Sequence, residues 1–339
     1  MNLTRVDLLR LGLALLAAGL LLAVALDIFW LRPLPASPTG GSESEDAAAD
    51  TGTAELGSDA SASTAGPDEF RLPAATEPRG LNLVFMSDAY PSWEEFEADI
   101  AAVMLELKKI EPWQSYNHFN IYKINPQQGD LCAIKTADER KPTLRCGEGV
   151  NAYLNQLPLE RFKLIILSRQ NFQSWANVAR LENSAILFSL TESPTDATAA
   201  RTQGLLLAHL FGHAFGLKDE ELHVIAKAGG APHTPDGPNC APDQTTAEAW
   251  WGDLAAQDSQ VGYFPGCAGN VNYLKPTEAS IMNLNTGADL VFTYGPVSER
   301  YLKTVLNLCF APQVNSSESL DSDQAKFLER YPEFSACLE

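Results

Sequence analysis

The sequence predicts an α/β domain in which a mixed sheet with long helices is followed by an irregular lobe that contains disulfides. Short apolar runs alternate with helical periodicity over 81–215, which is the pattern of a sheet covered by helices. After residue 217 the composition changes: glycine, proline and asparagine become frequent, and apolar residues show little helical or strand periodicity. Six cysteines, an even number, all lie beyond residue 80.

The individual elements follow from the spacing of apolar residues. Ser92 and Glu95 form the S-x-x-E pattern of a capping box, which predicts the start of a helix. Apolar residues then recur three and four positions apart as far as Ile110, which predicts an amphipathic helix. Further helices are predicted at 199–215 and 298–308. The apolar runs predict strands at 81–86, 119–124, 164–167 and 185–190.

Residues 1–32 are predicted to form an N-terminal membrane anchor or signal segment. The stretch 11–31 contains a single charge and is long enough to span a bilayer as a helix. Arg5 and Arg10 precede it, so the positive-inside rule favours a single-pass protein with its C-terminal domain outside the cytoplasm. The alternative is secretion after signal cleavage, because 23–25 has the small-x-small form of a cleavage site.

Residues 33–80 are predicted to be a disordered acidic linker. They are rich in Ala, Ser, Thr, Gly and Pro, and they contain nine acidic residues against two basic ones. Such a composition buries too little apolar surface to offset the entropy cost of ordering. The remaining residues, 81–339, are predicted to form the folded domain, which this linker tethers to the membrane.

The net charge excludes one class of partner. The chain has 24 Lys and Arg residues against 43 Asp and Glu residues, which gives a formal net charge of −19. Binding to nucleic acid or to an anionic membrane surface requires a basic patch. The sequence therefore predicts no nucleic-acid partner, and it predicts contact with the membrane only through the N-terminal helix.

The six cysteines predict disulfide bonds. An even number in an exported domain is typical of a disulfide framework, and the chain has no C-x-x-C motif of a redox or thiolate zinc site. Pairing between neighbours is the simplest arrangement. It joins Cys132 to Cys146, Cys240 to Cys267 and Cys309 to Cys337.

The segment LLLAHLFGHAFGLKDE, at 205–220, contains a pattern of metal-ligating residues. His209 and His213 are four positions apart on a predicted helix, so both imidazoles project from one face. This is the geometry of two zinc ligands from one helical turn. Gly216 can end the helix in a left-handed conformation. Asp219 then lies where a turning chain can return a third ligand to the metal.

The spacing H-x-x-x-H-x-x-G-x-x-D resembles that of the metzincin metallopeptidases, with one departure. Leu210 occupies the position of the glutamate in H-E-x-x-H. In that motif the glutamate is the general base that takes a proton from a water molecule on the zinc. Leucine accepts no proton, and general acid–base catalysis contributes about 10²–10⁴-fold to a rate. The pattern therefore predicts a zinc site that has lost its catalytic base.

The domain more widely resembles the immunoglobulin-A-peptidase family of metzincin-like zinc peptidases. The resemblance covers roughly residues 81–310 and rests on four segments besides the metal motif. They are NLVFMSDAYPSWEEFEADI, EPWQSYNHFNIYKIN, NYLKPTEASIMN and FTYGPVSERYL. The resemblance implies a metzincin-like zinc-peptidase domain, a methionine turn with Met282 beneath the metal, and a location in the periplasm or at the cell surface.

Several alternatives stay open on the sequence alone. Glu220 and His223 also qualify as the third metal ligand, and Glu220, Glu221 or Glu248 can replace the missing base if a loop brings one of them to the metal. The predicted function is that of a catalytically degenerate peptidase that binds a peptide or protein ligand. The alternatives are an active zinc metallopeptidase with a non-standard base, and a metal-free scaffold held by disulfides.

Overall fold

Four parallel strands form the centre of a six-stranded sheet in the computed structural model of the chain. The structure describes residues 69–73, 76–126, 132–135, 143–190, 197–221, 237–283, 291–312 and 320–338. The strands are β1 (Glu69–Arg71), β2 (Leu81–Asp88), β3 (Phe119–Asn125), β4 (Cys132–Lys135), β5 (Thr143–Cys146), β6 (Lys163–Ser168), β7 (Trp175–Ala176), β8 (Ser184–Ser189), β9 (Phe264–Cys267) and β10 (Asn270–Lys275).

The order of strands across the main sheet is β1-β3-β2-β6-β8-β7. The four inner strands are parallel, and the short edge strands β1 and β7 run antiparallel to their neighbours. The inner strands are the apolar runs of the sequence, as expected for parallel strands that are buried on both faces. Two hairpins, β4–β5 and β9–β10, lie outside this sheet.

Six α-helices accompany the strands in the described part of the chain. They are α1 (Trp93–Leu107), α2 (Gly149–Leu154), α3 (Ala197–Ala214), α4 (Gln244–Ala255), α5 (Pro296–Cys309) and α6 (Ser322–Arg330), and a 3₁₀ helix (Pro332–Cys337) follows. Every strand and helix predicted from apolar spacing is present, with ends that differ from the prediction by three residues or fewer. The prediction of an α/β fold with a mixed sheet is confirmed.

The alternation of side chains along β2 shows how the sheet is covered. Leu83 and Phe85 belong to a core that they share with α1, α3 and α5. Val84 and Met86 belong to a second core, with residues of α2 and of the β4–β5 hairpin. The sheet is therefore the middle one of three layers, and α3 packs against α1 and β8 on the first face.

The region after residue 217 is more regular than the sequence predicts. It contains the helix α4, whose first turn is capped by the Asp243 carboxylate, which accepts from the N–H of Thr246 (2.8 Å). It also contains the β9–β10 hairpin. The prediction of an irregular lobe is wrong for these two segments. Trp251 has non-helical backbone angles (φ −143°, ψ 15°) and interrupts the helix. Because of this interruption, no continuous apolar stripe runs through α4, and such a stripe is the pattern by which a helix is predicted from a sequence.

Three disulfides are present, and the predicted pairing between neighbours is confirmed. They join Cys132 to Cys146, Cys240 to Cys267 and Cys309 to Cys337. The first closes the β4–β5 hairpin, the second ties β9 to the segment before α4, and the third ties the end of α5 to the 3₁₀ helix.

The strand β1 (Glu69–Arg71) lies inside the stretch that composition assigns to the 33–80 linker. The backbone of β1 pairs with β3, with Phe70 opposite Ile124, so hydrogen bonds to a sheet edge order a segment whose composition predicts disorder. Most of that linker and the predicted anchor at 1–32 lie outside the described residues. No helix in the described part of the chain is both long and apolar enough to cross a membrane.

Lys163, the first residue of β6, is a buried lysine. Its Nζ donates hydrogen bonds to the carbonyl oxygens of Glu182 (2.9 Å) and Arg180 (3.4 Å), and it lies 4.9 Å from the centre of the Phe215 ring. Burial lowers the pKa of the Lys163 ammonium from its usual 10.5 to about 7, against the opposing effect of the Glu182 charge. Folding therefore opposes protonation of this lysine.

We expect the stability of the domain to depend on pH through Lys163. The unfolded chain protonates this lysine near pH 10.5 and the folded chain only near pH 7. The free energy of unfolding should therefore fall as the pH decreases from 10.5 to 7 and then level off. Lys163→Met removes this pH-dependent contribution to the free energy of unfolding.

Urea denaturation near pH 10 and at pH 7 should show that wild type loses stability relative to the variant at the lower pH. Lys326→Met, which removes a charge from an exposed position on α6, is the control. A constant difference between wild type and Lys163→Met would contradict the prediction.

Candidate metal centre

Two histidine side chains meet near the C-terminal end of α3. The Nε2 atoms of His209 and His213 are 3.1 Å apart, and each residue is only 8% exposed. The Nδ1 atom of His209 lies 3.0 Å from the carbonyl oxygen of Ile281, and that of His213 lies 2.9 Å from the carbonyl oxygen of Leu217. Because a carbonyl oxygen only accepts, each Nδ1 donates, and each neutral imidazole presents a lone pair at Nε2.

A left-handed glycine brings a third side chain to this pair. The N–H of Gly216 donates to the carbonyl oxygen of His213 (2.9 Å), and the N–H of Leu217 donates to the carbonyl oxygen five residues before it (2.9 Å). These two bonds are those of a Schellman motif. Gly216 has a φ of +93°, so the predicted left-handed glycine is confirmed. The chain then turns back, and Oδ1 of Asp219 lies 3.3 Å from Nε2 of His209 and 3.2 Å from Nε2 of His213.

The three atoms are spaced like ligands of one tetrahedral metal ion. A Zn²⁺ ion with bonds of about 2.0–2.2 Å holds its ligand atoms about 3.3 Å apart. The separations between the two Nε2 atoms and Oδ1 are 3.1, 3.2 and 3.3 Å. Three lone pairs at these distances repel one another unless a cation or shared protons lie between them. The Asp219 side chain is 31% exposed, so the site is open to solvent on that side.

The electrostatics of the group favour an ionised carboxylate. Burial raises the pKa of the Asp219 carboxyl, but hydrogen bonds from His209 and His213, and their charges when the imidazoles are protonated at Nε2, outweigh burial and hold that pKa well below its usual range. Burial lowers the pKa of the His213 imidazole, yet the hydrogen bond to Asp219 and its charge raise that pKa above its usual value. A metal ligand must be deprotonated, and Asp219 meets this requirement.

Glu220, the next residue along the chain, faces different partners. It is fully buried, and its carboxylate accepts from Nδ2 of Asn239 (2.9 Å) and from Oγ of Ser280 (2.7 Å). Burial raises the pKa of Glu220 to about 7, although these hydrogen bonds lower it. Both carboxylate oxygens of Glu220 therefore have partners other than the histidines, and Asp219 is the acid that meets them.

Glu221 and Glu248 do not belong to the group of converging ligand atoms. Glu221 is buried, and its carbonyl oxygen accepts from the N–H of Gly269 (3.0 Å). Glu248 is exposed on α4 and accepts from the side chain of Gln244 (2.8 Å). His223 lies outside the described residues.

Leu210 lies in the apolar core. It is buried in the cluster that α3 shares with the sheet, together with Leu207 and Phe211. Successive residues of an α-helix are rotated by about 100°. Leu210 is therefore rotated by about 100° from His209 and by about 60° from His213, so its side chain packs in the core directly beside the face that carries the histidines.

Met282 packs against the helix that bears the two histidines. Its carbonyl oxygen accepts from the N–H of Glu220 (2.8 Å), and the preceding residue, Ile281, holds the imidazole of His209. Gly212 lies between the histidines, and a methyl group added there would be 2.4 Å from Sδ of Met282. The absence of a side chain at Gly212 lets the helix and the methionine approach closely.

Sequence reasoning missed two polar residues of this region. Asn239 and Ser280 hold the Glu220 carboxylate, yet both follow it at no motif spacing, 19 and 60 residues further along the chain. Neither residue carries a signal in a single sequence, because only the fold brings their segments to the loop after α3.

Comparisons with known proteins assign no family to the chain. A scan against models of protein families gives no match, and a search of curated proteins also gives no match. Any family assignment therefore depends on the quoted sequence segments and on the geometry of the site.

We expect Gly212→Ala to destabilise the domain although alanine is the better helix former. The new methyl group would lie 2.4 Å from Sδ of Met282 and 3.2 Å from a ring carbon of Tyr294. Overpacking of this kind costs about 1–3 kcal/mol, against a gain in helix propensity of about 1 kcal/mol. Urea denaturation measures the net loss. Gly252→Ala is the control, because its methyl group would be 3.4 Å from Oη of Tyr263, an ordinary contact. Equal effects of the two substitutions would argue against the close approach at Met282.

Proposed function

We propose that this chain is an exported, membrane-tethered zinc-metallopeptidase-like protein that has lost peptidase activity and binds a peptide or protein ligand. One observation carries the proposal. The side chains of His209, His213 and Asp219 converge as a set of metal ligands, while Leu210 fills the position of the general base. The resemblance to immunoglobulin-A peptidases supplies the family part of the proposal, including a metzincin-like fold and a methionine-turn role for Met282.

Zinc suits this donor set better than magnesium or calcium. Imidazole nitrogen is a borderline ligand that suits zinc, and zinc also accepts a carboxylate oxygen, whereas magnesium and calcium favour oxygen ligands alone. Bound by three side chains, a zinc ion would supply a Lewis acid with an open coordination position. The chain contributes orientation, since the carbonyl oxygens of Ile281 and Leu217 fix both imidazoles with Nε2 towards Asp219.

The absence of a base at Leu210 favours binding over hydrolysis. A general base must reach its proton within hydrogen-bond distance. The carboxylate of Glu220 is buried between Asn239 and Ser280, and Glu248 is on the exposed surface of α4. Neither arrangement supports the alternative of an active peptidase with a substitute base.

Exposed apolar side chains near the histidines support a peptide or protein ligand. The N–H of Ala179 donates to the carbonyl oxygen of His213 (3.1 Å). In the segment that leads to Ala179, Trp175 is 40% exposed and Val178 is 46% exposed. Exposed aromatic and aliphatic side chains beside a polar site are typical of surfaces that bind other proteins.

The three disulfides support the exported location. Disulfides form and persist in oxidising compartments and are rare in the cytosol. Together with the predicted anchor at 1–32, they favour a domain outside the cytoplasm. The third reading, a metal-free scaffold, requires the disulfides but no ion, and metal analysis distinguishes it from the proposal.

We expect the purified full-length chain to contain about one zinc ion per molecule, as three converging ligands imply. His209→Ala/His213→Ala should lose the metal, whereas His118→Ala, a change at a half-exposed histidine that approaches Glu77 (3.8 Å), should keep it. Elemental analysis by plasma mass spectrometry measures the zinc content.

Removal of zinc by a chelator should lower the midpoint temperature of thermal unfolding of wild type and leave that of the double variant unchanged. A wild-type chain without metal, and with a midpoint indifferent to zinc and to chelator, would favour the scaffold.

We expect Leu210→Glu to restore chelator-sensitive cleavage of a denatured protein, because it returns a carboxylate to the position of the general base. Leu210→Gln is the matched control, since glutamine has nearly the same shape but cannot act as a base. Both variants should lose stability, by about 1–3 kcal/mol for an unpaired buried polar group. Only the glutamate variant should gain activity, by about 10²–10⁴-fold over wild type. Cleavage by neither variant, or equal cleavage by both, would contradict the assignment of Leu210 to the base position.

A further inference from the structure

The segment 217–221, here called the ligand loop, is held on one side by Asn239. The side-chain oxygen of Asn239 accepts from the N–H of Lys218 (2.9 Å), and its Nδ2 donates to the carbonyl oxygen of Lys218 (2.8 Å) and to the carboxylate of Glu220 (2.9 Å). Asn239 is fully buried. It therefore fixes the backbone directly before Asp219 and the side chain directly after it.

The tip of the β9–β10 hairpin holds the other side of the ligand loop. Ala268 and Gly269 form its two-residue turn, both with positive φ (49° and 70°). The N–H of Ala268 donates to the carbonyl oxygen of Asp219 (2.8 Å), and the N–H of Gly269 donates to the carbonyl oxygen of Glu221 (3.0 Å). The turn thus fixes the backbone of the third ligand itself.

A disulfide joins Asn239 and the hairpin tip, the two groups that hold the ligand loop. Cys240 directly follows Asn239, Cys267 directly precedes Ala268, and the two cysteines are bonded to each other. Both are fully buried. Sγ of Cys267 also lies 3.6 Å from the carbonyl oxygen of Asp219, so the bridge packs directly against the ligand loop.

We propose that the Cys240–Cys267 disulfide positions Asp219 as the third metal ligand, so that breaking this one bridge weakens zinc binding. The proposal rests on the proposed function, since it assigns a role at the same site. Without the bridge, Asn239 and the hairpin tip hold the ligand loop independently, and Asp219 loses its fixed position relative to the histidines. Groups that orient metal ligands typically change metal affinity by about 10–100-fold.

The chain offers a matched control for this role. Cys240 and Cys267 are separated by 27 residues, and Cys309 and Cys337 by 28. Because the stabilisation by a disulfide scales with the length of the closed loop, the two bridges restrict the unfolded chain almost equally. The Cys309–Cys337 bridge joins α5 to the 3₁₀ helix, where Sγ of Cys337 accepts from Nη1 of Arg161 (3.5 Å). The two bridges therefore close loops of almost equal length, but only Cys240–Cys267 lies against the ligand loop.

The experiment compares zinc affinity in the full-length chain and two variants. Cys240→Ser/Cys267→Ser should bind zinc about 10–100-fold more weakly than wild type, while Cys309→Ser/Cys337→Ser should bind it as wild type does. Competition with a chromophoric chelator measures the affinity, and Co²⁺ substitution with visible spectroscopy reports whether a carboxylate ligand has been lost. The backbone bridge between Ala241 and Leu274, with two bonds of 2.9 Å, keeps the segments adjacent in the first variant.

A second measurement needs no variant. Dithiothreitol reduces the disulfide to two thiols and is itself oxidised to its cyclic disulfide, so two electrons and two protons pass to the protein. Binding linkage requires that, if reduction weakens zinc binding, zinc must oppose reduction by the same factor. In wild type, zinc should therefore shift the equilibrium reduction of Cys240–Cys267 by about 10–100-fold and leave Cys309–Cys337 unchanged, as read by thiol alkylation and peptide mass spectrometry.

The outcomes separate this proposal from the proposed function. Equal zinc affinity in wild type and Cys240→Ser/Cys267→Ser would overturn the positioning role and leave the metal site intact. Equal weakening in both double variants would also overturn it, since the effect would then be general loss of stability. Absence of zinc from the wild-type chain would overturn the proposed function and this proposal together.

Discussion

The reversal of the chain at Gly216 is the constraint on which the candidate metal centre depends. A helix can offer two ligands from one face, but the next residues on that face of a continued helix lie a further turn, about 5.4 Å, along its axis. At a φ of +93° the backbone leaves the helix and returns Asp219 to the histidines. A side chain at this position is excluded twice, because the left-handed region disfavours it and because a methyl group would lie 2.7 Å from Cγ of Arg180.

The histidines in turn depend on a segment that is distant in sequence. Ile281 orients the imidazole of His209 through its carbonyl oxygen, and Met282 packs into the space left by Gly212. The same segment accepts from the N–H of Glu220, next to the third ligand. The helix α3, the ligand loop and this segment therefore support one another. Their mutual contacts hold the two Nε2 atoms and Oδ1 of Asp219 close together.

The sequence predicts the local parts of this arrangement and misses the distant ones. The pair His209 and His213 and the glycine that follows are encoded within one helix and its end, so their geometry follows from helix periodicity. The choice of Asp219 over Glu220 depends on Asn239 and Ser280, which occupy the carboxylate of Glu220. That choice is invisible in one sequence.

The same distinction explains the fold. The inner strands of the sheet are buried on both faces, and burial on both faces produces the continuous apolar runs that predict them. The helix α4 is interrupted at Trp251, and the backbone of β1 pairs with β3 at the edge of the sheet. Neither feature leaves an apolar period in the sequence, so composition assigns the first to an irregular lobe and the second to a linker.

The position of Leu210 shows why metal binding and catalysis can be lost separately. The side chains of the three candidate ligands converge, whereas the side chain of Leu210 packs in the core beside them and is no part of the ligand set. A leucine that replaces a carboxylate there adds about 1.5–3 kcal/mol of apolar burial, and it removes the cost of a polar group at the edge of a core. In a domain that only binds its ligand, leucine at this position would therefore favour stability, whereas the loss of His209, His213 or Asp219 would leave the remaining buried polar groups unpaired.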